Sequence, residues 1–540
     1  MEFLTLLREE SRFSALSLAG VTAVAGVSNA LLLAIVNTAA ADATNTTASA
    51  WHLAQFVIIV LIWVVAQRHA MTRTGSELEG MLHRLRLRIA DQVRRADLIT
   101  FERTGRADIY SAIHRDTSTL SQASFVILDG LQSALLLFFT ALYIAWLSAA
   151  AFVLMVVFVA LALSIYFRRR TALRDTIRDA NQEEDRLWEV LSGLLDGFKS
   201  VRLNRARSDD LHAHAHQLSR ETMRLKVQMR HMVAGQFIFS QIAFFLLLAT
   251  IVFIAPRFGG EAYGNVVIKT TTAVLFLIGA IGSLVGAIPV LSEANEAARN
   301  IRALERRLHE GMGTAAAATL PHAAFESVEL QGVSFRYPST GEVSGFTIGP
   351  VDLRIRAGEI IFISGGNGAG KSSLLKLLTG LYRPGSGTIR VNGGLLDEAH
   401  LEVYHDLLAV VFSDFHLFRR LYGIRGATPE RIRELLEVLE IDDKTQVEGD
   451  AFTTTDLSSG QRKRLALLVA ILEDRPVLVF DEWAADQDPH FRRKFYEELL
   501  PDLRRHGKTI VAVTHDDRYY GVADRLFVMR DGQLNEETAR

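Results

Sequence analysis

Apolar and polar positions divide the chain near residue 320. Before that point, long apolar runs alternate with charged segments. Beyond it, short apolar runs alternate with helix-like ones. About 20 apolar residues in helical form cross a bilayer core of about 30 Å. Six such runs are present, at roughly 15–38, 52–67, 123–145, 148–167, 234–256 and 267–291. The second is short, and only the region of Ser148 separates the third from the fourth. The first does not read as a signal peptide, because it follows Glu9, Glu10 and Arg12 and five more runs come after it. One run such as Phe152–Leu163 would suit a buried helix of a soluble protein, but six of this length do not.

The segments between the runs set orientation through their Lys and Arg content. Arg68 to Arg115 holds ten arginines and Arg168 to Arg230 holds fourteen Lys plus Arg, whereas the linkers after the first and third runs hold none. Both basic segments and both termini are therefore expected on the cytoplasmic side. Leu82, Leu85, Ile89 and Val93 recur at helical spacing, which predicts that the membrane helices continue into the cytoplasm. The alanine- and glycine-rich stretch Gly311 to Ala324 reads as a linker. The expected organisation is a membrane domain over 1–310, a linker over 311–324 and an α/β domain over 325–540.

Composition fits this hybrid: of 540 residues, 49% are apolar and 22% charged. The net charge of -2 argues against a nucleic-acid partner, which usually meets a basic surface. The absence of cysteine excludes disulfides, thiolate metal sites and a Cys nucleophile.

The second half carries recognisable chemistry. Gly365-Gly366-Asn367-Gly368-Ala369-Gly370-Lys371-Ser372 fits G-x4-G-K-[ST], the P-loop or Walker A pattern. It follows a strand-like run, Glu359 to Ser364, and opens a helical one beginning at Ser373. Successive N–H groups of such a loop wrap phosphate oxygens at a helix N-terminus. Lys371 is expected to reach the outer phosphates of a nucleotide and Ser372 to ligate Mg²⁺. Val477-Leu478-Val479-Phe480-Asp481-Glu482 reads as a strand that ends in two acids, Asp481 for the metal and Glu482 as general base.

Leu457-Ser458-Ser459-Gly460-Gln461 closely resembles the LSGGQ signature of ATP-binding-cassette proteins, with Ser459 where glycine is usual. The resemblance implies that the signature of one subunit closes over ATP held by the P-loop of another, with Ser458 and Gly460 donating to the γ-phosphate. It further implies adenine stacking by Tyr337, a switch role for His515 near the γ-phosphate, and a D-loop at Asp488 along a dimer interface. The family's Q-loop glutamine is replaced: in Val411-Phe412-Ser413-Asp414, Ser413 takes its place, and its shorter hydroxyl would reach Mg²⁺ or the attacking water less readily, with Asp414 or a water as alternative ligands.

Six spans followed by one cassette resembles an exporter-type half-transporter: six transmembrane helices, then an α/β P-loop domain. That implies a homodimer in the inner membrane of a bacterium. Asp97 to Gly105 resembles the first coupling region of exporters. Gly197-Phe198-Lys199-Ser200-Val201-Arg202-Leu203-Asn204 resembles a run in bacterial cyclic-peptide exporters, a group that moves peptide siderophores, lipopeptides and lasso peptides. The implied function is ATP-driven export of a peptide-derived natural product. A lipid or multidrug exporter is the alternative in the same class, and a nucleotide-gated channel or sensor the alternative in another. Among polar residues inside the spans, Asp129, Gln132, Gln236, Gln241 and Thr270 to Thr272 are candidates either to line a cargo cavity or to bond between helices.

Overall fold

The computed structural model describes residues 2–10, 15–41, 46–254, 256, 264–311, 324–337 and 345–537. Of the expected linker, 312–323 lies outside them. By contacts the chain forms two units, Met1–Asp91 with Gly105–Arg306, and Gln92–Thr104 with Arg307–Arg540. The short segment Gln92–Thr104, which falls in the first basic stretch, thus groups with the second unit.

The described part of the first unit is almost entirely helical. Among the described residues, five helices are long and apolar enough to cross a membrane: Thr22–Ala40, Ala50–Arg95, Arg106–Leu147, Arg205–Ile254 and Val267–Glu310. The fourth expected run begins the helix Ala149–Asp196, of which Ala149–Leu161 is a shorter apolar stretch among the described residues. Ser148 explains the break before it. Its backbone is extended (φ -158°, ψ 112°), and its side chain accepts from Ala151 N at 3.3 Å, capping the new helix.

The basic segments do prolong the membrane helices. One continuous helix runs Thr46–Arg95, another Ala149–Asp196, and Arg205–Ala249 packs along the latter. Leu82, Leu85 and Ile89 are fully buried on one face, while Leu61 and Val65, in the apolar part of the same helix, are exposed. Such outward apolar side chains fit a lipid surrounding, since lipid tails are as apolar as leucine. A core of Leu33, Ile144, Met155, Phe244 and Leu277, among others, holds the helices together.

The second unit is an α/β domain with two larger sheets and, among the described residues, a two-stranded antiparallel pair. Its strands in chain order are β1 (Ser327–Arg336), β2 (Thr347–Arg356), β3 (Ile360–Gly365), β4 (Ser386–Val391), β5 (Gly394–Leu395), β6 (Leu408–Val411), β7 (Val447–Glu448), β8 (Ala451–Phe452), β9 (Val477–Asp481), β10 (Thr509–Val513), β11 (Arg525–Arg530) and β12 (Gln533–Glu537). The pair is β7 with β8, and an antiparallel sheet has the order β2-β1-β4-β5. The main sheet has the order β12-β11-β3-β10-β9-β6, parallel except for β12. β9 and β10 are buried at every residue, as expected of parallel strands covered on both faces.

That strand order positions the site. Val513 of β10 pairs with Ile363 of β3 on one side and Asp481 of β9 on the other. The three strands end side by side, at the carboxyl edge where α/β sheets place their ligands.

Candidate functional site

After β3 the chain turns through Gly370 (φ 104°) into the helix Lys371–Leu378. A Cβ on Gly370 would lie 3.0 Å from Met529 and 3.1 Å from Phe346, so close packing adds to the left-handed backbone in requiring glycine. Lys371 is 5% exposed, and its Nζ donates to the carbonyls of Gly365 (2.9 Å) and Gly366 (3.1 Å). The ammonium therefore sits inside the loop formed by Gly365 to Gly370. Tyr337 approaches this helix from β1: its hydroxyl lies 2.7 Å from Ser373 Oγ, and its ring packs edge-on against Phe335 and Tyr382.

At the end of β9, Asp481 is buried. Its Oδ2 accepts from Ser413 Oγ at 3.0 Å, and the Ser372 hydroxyl lies beside the carboxyl. Burial pushes this carboxyl above the usual range, and the two serine hydroxyls pull it back. Asp481 Oδ1 has no hydrogen-bond partner among the described residues. A buried, unpartnered carboxylate oxygen beside two hydroxyls is an all-oxygen donor set of the kind Mg²⁺ takes. Asp481, Ser372 and Ser413 therefore fit that ion.

Glu482 follows in the left-handed region (φ 48°, ψ 38°). For a residue with a Cβ this costs roughly 1–3 kcal/mol and persists only where surroundings enforce it. The turn directs the carboxylate over the P-loop: Glu482 Oε1 lies 3.5 Å from Lys371 Nζ and 3.2 Å from His515 Nε2. His515 stands just beyond β10, half-exposed, and Thr514 before it is fixed by Tyr496 at 2.6 Å. Lys371, Ser372, Ser413, Asp481, Glu482 and His515 thus converge from four segments.

The Ser458 run lies at the start of the helix Ser459–Leu472. Ser458 caps it reciprocally with Gln461: Ser458 Oγ accepts from Gln461 N at 3.3 Å, and Ser458 N donates to Gln461 Oε1 at 3.1 Å. Gly460 touches the segment Asp486–Asp488, where Gln487 Nε2 donates to Gly460 O at 3.0 Å. Asp488 caps the next helix and pairs with Arg464 at 2.7 Å. Ser459 is exposed.

Several contacts around the site have no signal in the sequence. Lys463 and Trp483 brace the Glu482 turn. Glu102, on the short helix Leu98–Thr104, accepts from Lys376 (2.9 Å) and Tyr382 (2.7 Å) of the same unit. In the membrane unit, Asp129 is exposed, and Gln236 and Gln241 are half-buried. Gln132 Oε1 accepts from Gln67 Nε2 at 3.0 Å, a bond between two helices. Thr270 is buried, and Thr272 bonds back to its own helix at Ile268 O.

Comparison with known proteins bears on both units. A family model described as "ABC transporter transmembrane region" matches residues 12–279, and one described as "ABC transporter" matches residues 348–485. The ATP-binding protein SyrD of Pseudomonas syringae pv. syringae is 31% identical over 531 residues, 94% of this chain and 91% of that protein. A probable syringafactin export ATP-binding/permease protein, SyfD, of the same pathovar is 30% identical over 224 residues, 38% of this chain and 33% of its own. An ATP-dependent lipid A-core flippase of Burkholderia thailandensis is 28% identical over 381 residues, 67% of this chain and 62% of its own.

Proposed function

The chain belongs to the ABC transporters, as a membrane-embedded, ATP-hydrolysing exporter with both parts in one polypeptide, and we propose that two copies of it carry a peptide-derived natural product out of the cytoplasm. The observation that carries the cargo class is the Gly197 to Asn204 run. It forms the short helix Phe198–Leu203 between the two long helices of the second basic segment. The similarity to a protein named for syringafactin export points the same way. The flippase match favours a second reading, a lipid cargo.

One copy holds one P-loop and one signature run, so two complete sites need two chains, and a closed homodimer is the simplest assembly. Light scattering or native mass measurement is expected to show two copies. Orientation follows the arginine-rich segments, with both termini cytoplasmic.

In the proposed chemistry, Lys371 and the amides of Gly366 to Ser372 neutralise and position the phosphates, with Tyr337 beside the base. Ser458, Ser459, Gly460 and Gln461 of the partner copy close the site, with Asp488 at the junction. Glu482 accepts a proton from the attacking water, and His515 orients that carboxylate. Asp481, Ser372 and Ser413 would hold Mg²⁺, which supplies charge neutralisation at the transferred phosphoryl group.

Ser413→Ala tests the metal-facing group. It removes one of the bonds that lower the Asp481 pKa, so the carboxyl becomes protonated at higher pH. Metal binding needs the carboxylate, so the acid limb of ATP hydrolysis at limiting Mg²⁺ moves upward in pH. An unmoved limb would remove Ser413 from the site.

Cargo is tested by hydrolysis rates of the full chain in lipid nanodiscs, across cyclic peptides, siderophore precursors, lipids and drugs, with Glu482→Gln as blank. Dose-dependent stimulation by the peptide class alone is expected. Stimulation by lipids instead would select the flippase-like reading. A rate no higher than the blank would favour a nucleotide-gated channel or sensor.

A further inference from the structure

Lys463 is a buried lysine with no place in the phosphate chemistry above. It lies on the helix Ser459–Leu472, 5% exposed, away from Lys371 and the P-loop in sequence. Its Nζ donates to the main-chain carbonyl of Glu482 at 2.9 Å and lies 2.9 Å from Asp486 Oδ2. Its own main-chain carbonyl accepts from Trp483 Nε1 at 2.8 Å. Trp483 is fully buried and stacked on Phe495 at 4.3 Å. One residue of the signature helix thus grips the turn at Glu482 from both sides.

That turn needs a grip. Glu482 holds a left-handed backbone without being glycine, and its carbonyl also accepts a long 3.3 Å bond from Ala485 N. The carbonyl direction and the side-chain direction of one residue are coupled through its φ and ψ. A buried ammonium that fixes the carbonyl therefore also holds the Cα–Cβ direction from which the carboxylate extends toward Lys371 and His515.

We propose that Lys463 is a positioning residue for ATP hydrolysis: it holds the Glu482 carbonyl so that the Glu482 carboxylate faces Lys371 and His515. The inference rests on Glu482 as general base. It extends that reading by making the helix that follows the signature run a structural determinant of the base's direction. Asp486, half-exposed beside the same ammonium, neutralises its charge.

Lys463→Met keeps the length of the side chain and removes both bonds. In the full chain in nanodiscs, it is expected to lower kcat at least about tenfold while KM and Kd for ATP stay within about twofold, because the P-loop contacts are untouched. Asp486→Asn, which retains the bond from Lys463 to the carbonyl, should lose less kcat than Lys463→Met. Lys463→Gln, which offers a neutral donor on a shorter stem, should fall between wild type and Lys463→Met.

Glu482→Gln is run alongside. If it hydrolyses ATP at the wild-type rate, the assignment of the base fails. If it is inactive while Lys463→Met keeps wild-type kcat, the assignment stands and the role of Lys463 is overturned. A parallel change of kcat and KM, or failure of both Lys463 variants to bind ATP, would show a merely structural lysine and equally overturn the proposal.

Discussion

Replacing Glu482 with glutamine is expected to lower ATP hydrolysis by at least about a hundredfold while leaving ATP binding intact, since general-base catalysis typically contributes 10²–10⁴. The expectation follows from geometry. The Glu482 carboxylate stands between Lys371 Nζ and His515 Nε2, at 3.5 and 3.2 Å, above the loop that cradles phosphate. Glutamine has the same shape and still fits the left-handed turn, but it cannot take a proton from water. Lys371 keeps its bonds to the Gly365 and Gly366 carbonyls, so the binding site is undisturbed. Bound nucleotide without turnover should trap the two cassettes in their closed pairing. Steady-state hydrolysis and binding of a fluorescent ATP analogue measure both halves of the claim. Hydrolysis near the wild-type rate would move the base elsewhere.

The second large effect is expected at Gly460, where substitution by alanine should cut turnover at least about tenfold with ATP affinity of the P-loop unchanged. A Cβ at Gly460 would stand 2.7 Å from the main-chain oxygen of Asp486 and 3.6 Å from Gln487 Oε1. The first contact is with backbone, which cannot swing aside as a long side chain can. The segment is also tied down, by Gln487 to Gly460 O at 3.0 Å and by Arg464 to Asp488 at 2.7 Å. Alanine must therefore displace either the start of the signature helix or the D-loop, and both belong to the face that meets the partner copy in the proposed dimer. Ser459→Ala makes the matching control. Ser459 is exposed, so its replacement creates no such clash and should cost less turnover than Gly460→Ala. Equal losses at the two positions would contradict the steric account.

Much of this arrangement could be read from the sequence because its parts are contiguous. The P-loop, the β9 strand with its two acids, and the signature run each combine their determinants within a few residues. The prolongation of the membrane helices was legible from the spacing of Leu82, Leu85, Ile89 and Val93, of which the first three are buried on one face and Val93 is half-buried. Other features depend on pairs far apart in the chain. Glu102 meets Tyr382 across 280 positions; the coupling-region resemblance of Asp97 to Gly105 marked the segment, but nothing local named its partner. The departure at Ser413 was visible, but its hydrogen bond to Asp481 was not, since the bond requires β6 and β9 to lie side by side. The Glu482 backbone conformation also escaped notice, because left-handed turns are normally marked by glycine or asparagine and here a buried lysine enforces one.

The central proposal is that ATP hydrolysis in this chain drives a peptide-type cargo across the membrane. Transport into inside-out vesicles tests it directly, with a labelled cyclic peptide outside and ATP supplied to the exposed cassettes. Accumulation should require ATP and vanish in Glu482→Gln vesicles. Accumulation equal with and without ATP, or undiminished in Glu482→Gln vesicles, would contradict it.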